Sequence, residues 1–153
     1  MDMNLFDTVS EDIKKAMLAK EKEKLEALRA VKTAFLLART ESGAGGGLTP
    51  DAELKIVQKL VKQRRESAEI YQQQNRQDLA DKELLEASVI EQYLPAQMSE
   101  QELETALKAI IERAGAKIPS DMGKVMGVAT KELSGKADGK AISAKVKQLL
   151  SEG

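Results

Sequence analysis

Apolar residues recur every three or four positions along nearly the whole chain and nowhere alternate with polar ones over a strand's length. That spacing is the period of a helix with one buried face. The intervening residues are mostly Ala, Glu, Lys, Leu and Gln, all strong helix formers. The sequence therefore predicts an all-α protein. Its breaks are few, with three Pro and ten Gly available. Gly43, Gly45, Gly46 and Gly47 form one connector, and Pro95 ends a second stretch. Gly115 with Pro119, and Gly135 with Gly139, bracket two more.

Caps and stripes place the helices. Asn4 is a candidate N-cap before Phe6, Val9, Ile13, Ala16 and Met17. The charged run from Lys20 to Lys24 reads as a soft junction, after which Leu25, Leu28, Val31 and Phe35 form a second stripe that ends at Ser42-Gly43. Thr49-Pro50 opens a third helix carrying Leu54, Val57, Leu60, Val61, Ala68 and Tyr71. A fourth runs from Leu79 to Leu94, with Leu79, Leu85, Val89, Ile90 and Tyr93 as its expected buried face. Ser99 and Glu102 spell a capping box for a fifth helix, closed by Gly115. Ser120-Asp121 is expected to cap a sixth with Met122, Val125, Met126, Ala129 and Leu133. Asp138 is expected to cap a seventh with Ile142, Val146 and Leu149. The expected organisation is an N-terminal subdomain of about four helices (residues 1–95) and a C-terminal three-helix subdomain (residues 96–153).

Composition removes several chemistries. The chain has no His, the usual proton shuttle near neutral pH and the commonest metal ligand. It has no Cys, hence no thiol nucleophile, disulfide or zinc finger. Two Tyr, two Phe and no Trp make a base-stacking platform an unpromising design. No cofactor and no metal are expected. The 24 basic and 25 acidic side chains nearly cancel, so net charge names no partner. The acidic start, Met1-Asp2-Met3-Asn4, does not resemble a secretory signal, and no apolar run is long enough for a membrane span. The expected location is the cytoplasm.

Local clustering says more. Lys55, Lys59, Lys62, Arg64 and Arg65 fall within eleven residues that contain no acid. The three lysines read as a solvated helix face or as a stripe following phosphates. Arg64, by its helical angle, falls in the apolar stripe of the third helix, and Glu86 falls in that of the fourth. Two misplaced opposite charges on successive helices are expected to form a structural ion pair, because a buried charge needs a partner. No catalytic residue is assigned.

From Gly115 to Lys147 there are seven Lys against three acids. Lys124 and Lys131 lie seven residues apart, as do Lys140 and Lys147, each pair facing away from its helix's apolar stripe. Gly123 and Gly127 share an edge of the sixth helix, which implies close approach by a neighbouring helix or by an RNA backbone. Gly135-Lys136-Ala137-Asp138-Gly139-Lys140 adds a turn that opens onto a helix N-terminus, where free N–H groups favour anions. It lacks the spacing of a nucleotide-binding phosphate loop.

These stretches carry a resemblance. Asp121-Met122-Gly123-Lys124-Val125-Met126-Gly127 and Gly135-Lys136-Ala137-Asp138-Gly139-Lys140 resemble the signature of the GatB/YqeY family. So do Lys62-Gln63-Arg64-Arg65-Glu66-Ser67 and Tyr93-Leu94-Pro95. The likeness covers essentially the whole chain and resembles the family's free-standing small bacterial members. It implies an all-helical fold in two subdomains. It also implies kinship with the C-terminal tail of the GatB component of the glutamine-dependent aminoacyl-tRNA amidotransferase, a tail that contacts tRNA. The family's habitual label is carbon–nitrogen ligase with glutamine as amide donor. Neither the catalytic portion of that GatB component nor the enzyme's glutaminase has a counterpart here. The resulting expectation is a tRNA-binding accessory module that is not a catalyst alone, with Gly123, Lys124, Gly127, Lys131, Lys136, Lys140 and Lys147 at the RNA. A protein-interaction adaptor is the alternative, with Met122 and Met126 as adaptable contacts if they are exposed.

Overall fold

The computed structural model describes residues 4–42 and 47–152. Among them are seven α-helices, one 3-10 turn and no strand. The helices are α1 (Leu5–Ala19), α2 (Lys22–Ser42), α3 (Pro50–Gln73), α4 (Gln77–Glu91), α5 (Glu100–Ala114), α6 (Met122–Glu132) and α7 (Gly139–Glu152), with the 3-10 turn at Pro119–Asp121. Contacts divide the chain into two compact units, Met1–Leu94 and Pro95–Gly153.

In the first unit, side-chain caps set two of the helix starts. Asn4 accepts a hydrogen bond from the Asp7 N–H at 2.8 Å, and Thr49 accepts one from the Ala52 N–H at 3.1 Å. The junction after α1 is a sharp stop rather than the soft one its charges suggest. Lys20 turns left-handed (φ 58°), and the Glu21 N–H donates back to the Ala16 carbonyl at 3.0 Å. Asn75 makes the same left-handed turn (φ 58°) after α3, and the Arg76 N–H donates to the Tyr71 carbonyl at 2.8 Å. Of the four connector glycines only Gly47 lies within the described residues; its φ of 103° is one that only glycine adopts readily.

The core of this unit joins Val9 and Ala16 of α1, Leu28, Val31 and Phe35 of α2, Val57 and Val61 of α3, and Ala87 and Ile90 of α4. Each large side chain buried here contributes about 1.5–3 kcal/mol. Two expected core positions are corrected: Met17 is 54% exposed and Leu85 is 42% exposed. On α4 the small residues Ala80 and Ala87 are buried instead, so the packed face is rotated away from Leu84 and Leu85. Small side chains allow α3 and α4, this unit's most extensively packed helix pair, to lie close together.

Three long-range ties complete the unit. Glu53, on α3, is 2% exposed, and its Oε2 accepts the Phe6 backbone N–H at 3.1 Å. A carboxylate there meets one of the free donors in the first turn of α1, where the helix dipole favours negative charge. The Arg39 guanidinium stacks on the Phe6 ring, 4.0 Å from its centroid. The Tyr93 hydroxyl donates to Asp12 at 2.5 Å; burial, then this bond, pushes the phenol's pKa up.

In the second unit, Ser99 and Glu102 form the complete capping box, with bonds of 3.1 and 2.9 Å. Gly115 turns left-handed (φ 68°) to close α5. Leu103, Leu107 and Ile110 pack against Val125, Ala129, Leu133, Ile142, Val146 and Leu150. Leu150 rather than Leu149 occupies the fully buried position at the end of α7. The Asp121 side chain does not cap α6. Its carboxylate folds back to accept the N–H groups of Lys117 and Ile118 at 3.0 and 3.3 Å, and these bonds hold its pKa below the usual range.

Candidate nucleic-acid interface

The buried side of α6 is set by Val125, Ala129 and Leu133, with Met122 and Met126 partly buried against the same cluster. At about 100° per residue, the opposite side carries Gly123, Lys124, Gly127 and Lys131. All four are exposed. A side chain added at Gly123 or Gly127 would meet nothing within 4 Å. The close approach these glycines imply is thus not one made by a neighbouring helix of the described residues. They leave a strip of bare helix backbone open to solvent, edged by two ammonium groups.

On α7 the buried residues Ile142, Val146 and Leu150 put Lys140 and Lys147 on the solvent side, and both are exposed. Lys136 is exposed on the turn between α6 and α7. That turn is held from behind by the segment before α5. The Gln97 amide donates to the Gly135 carbonyl at 2.7 Å, and the Met98 N–H donates to the Lys136 carbonyl at 3.0 Å. Gly135 itself is buried and left-handed (φ 76°), so the backbone is fixed while the Lys136 side chain points outward. Asp138 stands at the N-cap position of α7, its carbonyl accepting the Ile142 N–H at 3.0 Å.

The cations of this unit differ in their engagement. The Lys145 side chain is only 12% exposed and lies 3.4 Å from Glu100. Arg113 makes a two-pronged bond to Glu132, at 3.0 and 2.7 Å, that links α5 to α6. Among the described residues, Lys131, Lys136, Lys140 and Lys147 form no ion pair. Lys124 lies near the Asp121 carboxylate, whose pKa it helps to lower.

The basic run of α3 is different in kind. Arg65 pairs with Glu91, and Arg64 Nε lies 3.7 Å from Glu86. The Arg64 and Glu86 side chains are 19% and 13% exposed, so this contact belongs to the packed interface of α3 with α4. Lys55 and Lys59 remain exposed. Glu53 was missed by sequence reasoning, although the signal was present: it lies four residues before Val57, in line with the apolar stripe. Among the described residues no group of three or more acids gathers to hold a metal ion, and no helix is long and apolar enough to cross a membrane.

Residues 6–150 match the family described as Yqey-like protein. The chain belongs to the Yqey-like family. It is similar to proteins named "Altered inheritance of mitochondria protein 41, mitochondrial" from three organisms. The Clavispora lusitaniae protein is 36% identical over 91 residues, covering 59% of this chain and 51% of that protein. The Pyrenophora tritici-repentis protein is 28% identical over 144 residues, covering 91% and 77%. The Meyerozyma guilliermondii protein is 36% identical over 89 residues, covering 58% and 46%. The chain thus spans about half the length of two of these relatives. The Yqey-like match takes in both units and all the lysines and glycines of the α6–α7 surface.

Proposed function

We propose that this Yqey-like chain is a tRNA-binding accessory module that meets RNA through the α6–α7 surface of its second unit. The observation that carries the reading is the exposed face of α6, where Gly123 and Gly127 leave open backbone between Lys124 and Lys131. A phosphate chain can come closer to bare helix backbone than to one covered by side chains, and ammonium groups at its edge supply the attraction. Lys136, Lys140 and Lys147 extend the positive surface. The resemblance to the tail of the amidotransferase's GatB component agrees with this, and the chain's role is binding rather than amide transfer by itself.

The test is a filter-binding titration of the whole chain with tRNA at two salt concentrations. Affinity is expected to fall steeply with salt, by a logarithmic slope of about −0.7 to −0.9 for each phosphate neutralised. Changing Lys124, Lys136 and Lys140 together to Ala flattens that slope without loss of helicity. Absence of binding at low salt sinks the reading.

A second reading, a protein-interaction adaptor, finds support in the first unit rather than in the methionines. Met122 and Met126 pack into a core, whereas Leu18 is 86% exposed beside Met17 at the end of α1. Recovery of the same protein partners from lysate before and after RNase favours the adaptor, and their loss after RNase favours the RNA module.

A further inference from the structure

The class of RNA structure recognised follows from which side chains this surface lacks; the inference rests on the RNA-binding reading. All four aromatic residues of the chain, Phe6, Phe35, Tyr71 and Tyr93, lie in the first unit, so Pro95–Gly153 has none. A guanidinium can also stack on a base, but the second unit's single arginine, Arg113, is held by both carboxylate oxygens of Glu132. The residues α6 and α7 expose include Gly123, Lys124, Gly127 and Lys131 on one helix and Lys140, Ala144, Lys147 and Gln148 on the other, with Val128, Thr130 and Glu132 beside them on α6.

Proteins that take unpaired RNA hold the splayed bases by stacking them on aromatic rings or guanidinium planes. The second unit has no ring to offer, and its one guanidinium is already engaged by Glu132. A paired A-form helix keeps its bases stacked on one another and offers phosphates and 2′-hydroxyls beside a wide, shallow minor groove. Small residues edged by long, flexible cations suit such a surface. We infer that the α6–α7 surface grips the backbone of double-helical RNA, the stem regions of a folded RNA, and does not read unpaired bases.

The experiment titrates the whole chain, at one low salt concentration, against four probes: folded tRNA, a short blunt RNA duplex, one unpaired strand of that duplex with no self-complementarity, and a DNA duplex of the same sequence. The expected result is duplex RNA binding about tenfold or more tighter than the single strand, with duplex DNA weaker than duplex RNA. The double variant Lys124→Ala/Lys131→Ala is expected to lower duplex affinity while leaving the circular dichroism spectrum unchanged. A single strand or a DNA duplex that binds as tightly as duplex RNA overturns the inference and leaves RNA binding standing. No binding to tRNA or to either RNA probe overturns the RNA reading and this inference together.

Discussion

Arg64 and Glu86 face each other across α3 and α4 at 3.7 Å, yet Arg64 Nε has no hydrogen-bond partner among the described residues. The pair is held by charge and burial rather than by a directed bond. Burial pushes the Glu86 carboxyl above the usual glutamate range, and the nearby Arg64 only partly offsets it. Arg64→Met is expected to destabilise the fold by about 1–3 kcal/mol, because it removes the main counter-charge of a mostly buried carboxylate. Glu86→Leu combined with Arg64→Met is expected to cost less than the sum of the two single changes. Urea denaturation of the four proteins measures the coupling; a value indistinguishable from zero contradicts the pairing.

The same carboxyl sets a pH dependence. Its folded pKa lies above the ordinary 4.5, so the folded state holds the proton more tightly than the unfolded state does. The cost of keeping Glu86 ionised is full above the raised folded value, shrinks as pH falls through it, and is gone below the ordinary value. Glu86→Gln removes this titration. The stability difference between Glu86→Gln and the parent is therefore expected to change between neutral pH and pH about 4, moving in the parent's favour as pH falls. A difference that stays flat over that window rules out a buried, titrating Glu86.

The α5 capping box works in the opposite sense. Backbone and side-chain bonds from Ser99 hold the Glu102 pKa below 4.5, so its contribution is present above that value and is lost as pH falls through the lowered one. Ser99→Ala removes the cap and is expected to cost about 1 kcal/mol. Thermal unfolding followed by circular dichroism measures the loss, and an unchanged midpoint contradicts it.

Two leucines test the packing assignments. Leu107 is fully buried, and Leu107→Ala is expected to cost about 2–5 kcal/mol. Leu85→Ala, at a residue 42% exposed, is expected to cost under about 1 kcal/mol. Comparable losses at the two sites contradict the rotated face of α4.

Gly123 and Gly127 separate stability from binding. Both have open space where a Cβ would sit, Gly127 in the interior of α6 and Gly123 in its first turn, so Gly127→Ala is expected to stabilise by about 0.5–1 kcal/mol and Gly123→Ala by less. The same changes cover the exposed backbone strip and are expected to weaken RNA binding. Higher thermal stability with unaltered RNA affinity rules out a role for the strip in contact.

The sequence made the helices legible because their ends are written in local chemistry. Asn4, Thr49, Ser99 and Gly115 each act within three or four residues of themselves, so a short window contains both partners of the bond. The stop at Lys20 was not legible, since nothing in a lysine announces a left-handed backbone. The face of α4 was misjudged because a helical wheel weights large apolar residues. The packing instead selected Ala80 and Ala87, whose value lies in the neighbour they admit. Asp121 carries a capping residue's side chain, but the preceding 3-10 turn brings the N–H groups of Lys117 and Ile118 within its reach. At the candidate interface, residue types and helical angles were legible. That the glycines face open space was not, because it depends on where every other helix lies.

The Tyr93–Asp12 bond joins positions 81 residues apart and so fixes an order of events during synthesis. The chain emerges from the ribosome N-terminus first, at about 5–20 residues per second. α1 is made well before the phenol that fastens it, which follows Asp12 by 81 residues and arrives only with the last residues of its unit. Until then the apolar stripe of α1 has α2 and α3 to lean on but lacks its final latch. A nascent chain stalled before residue 93 clears the exit tunnel is expected to leave α1 more open to protease than one stalled after it.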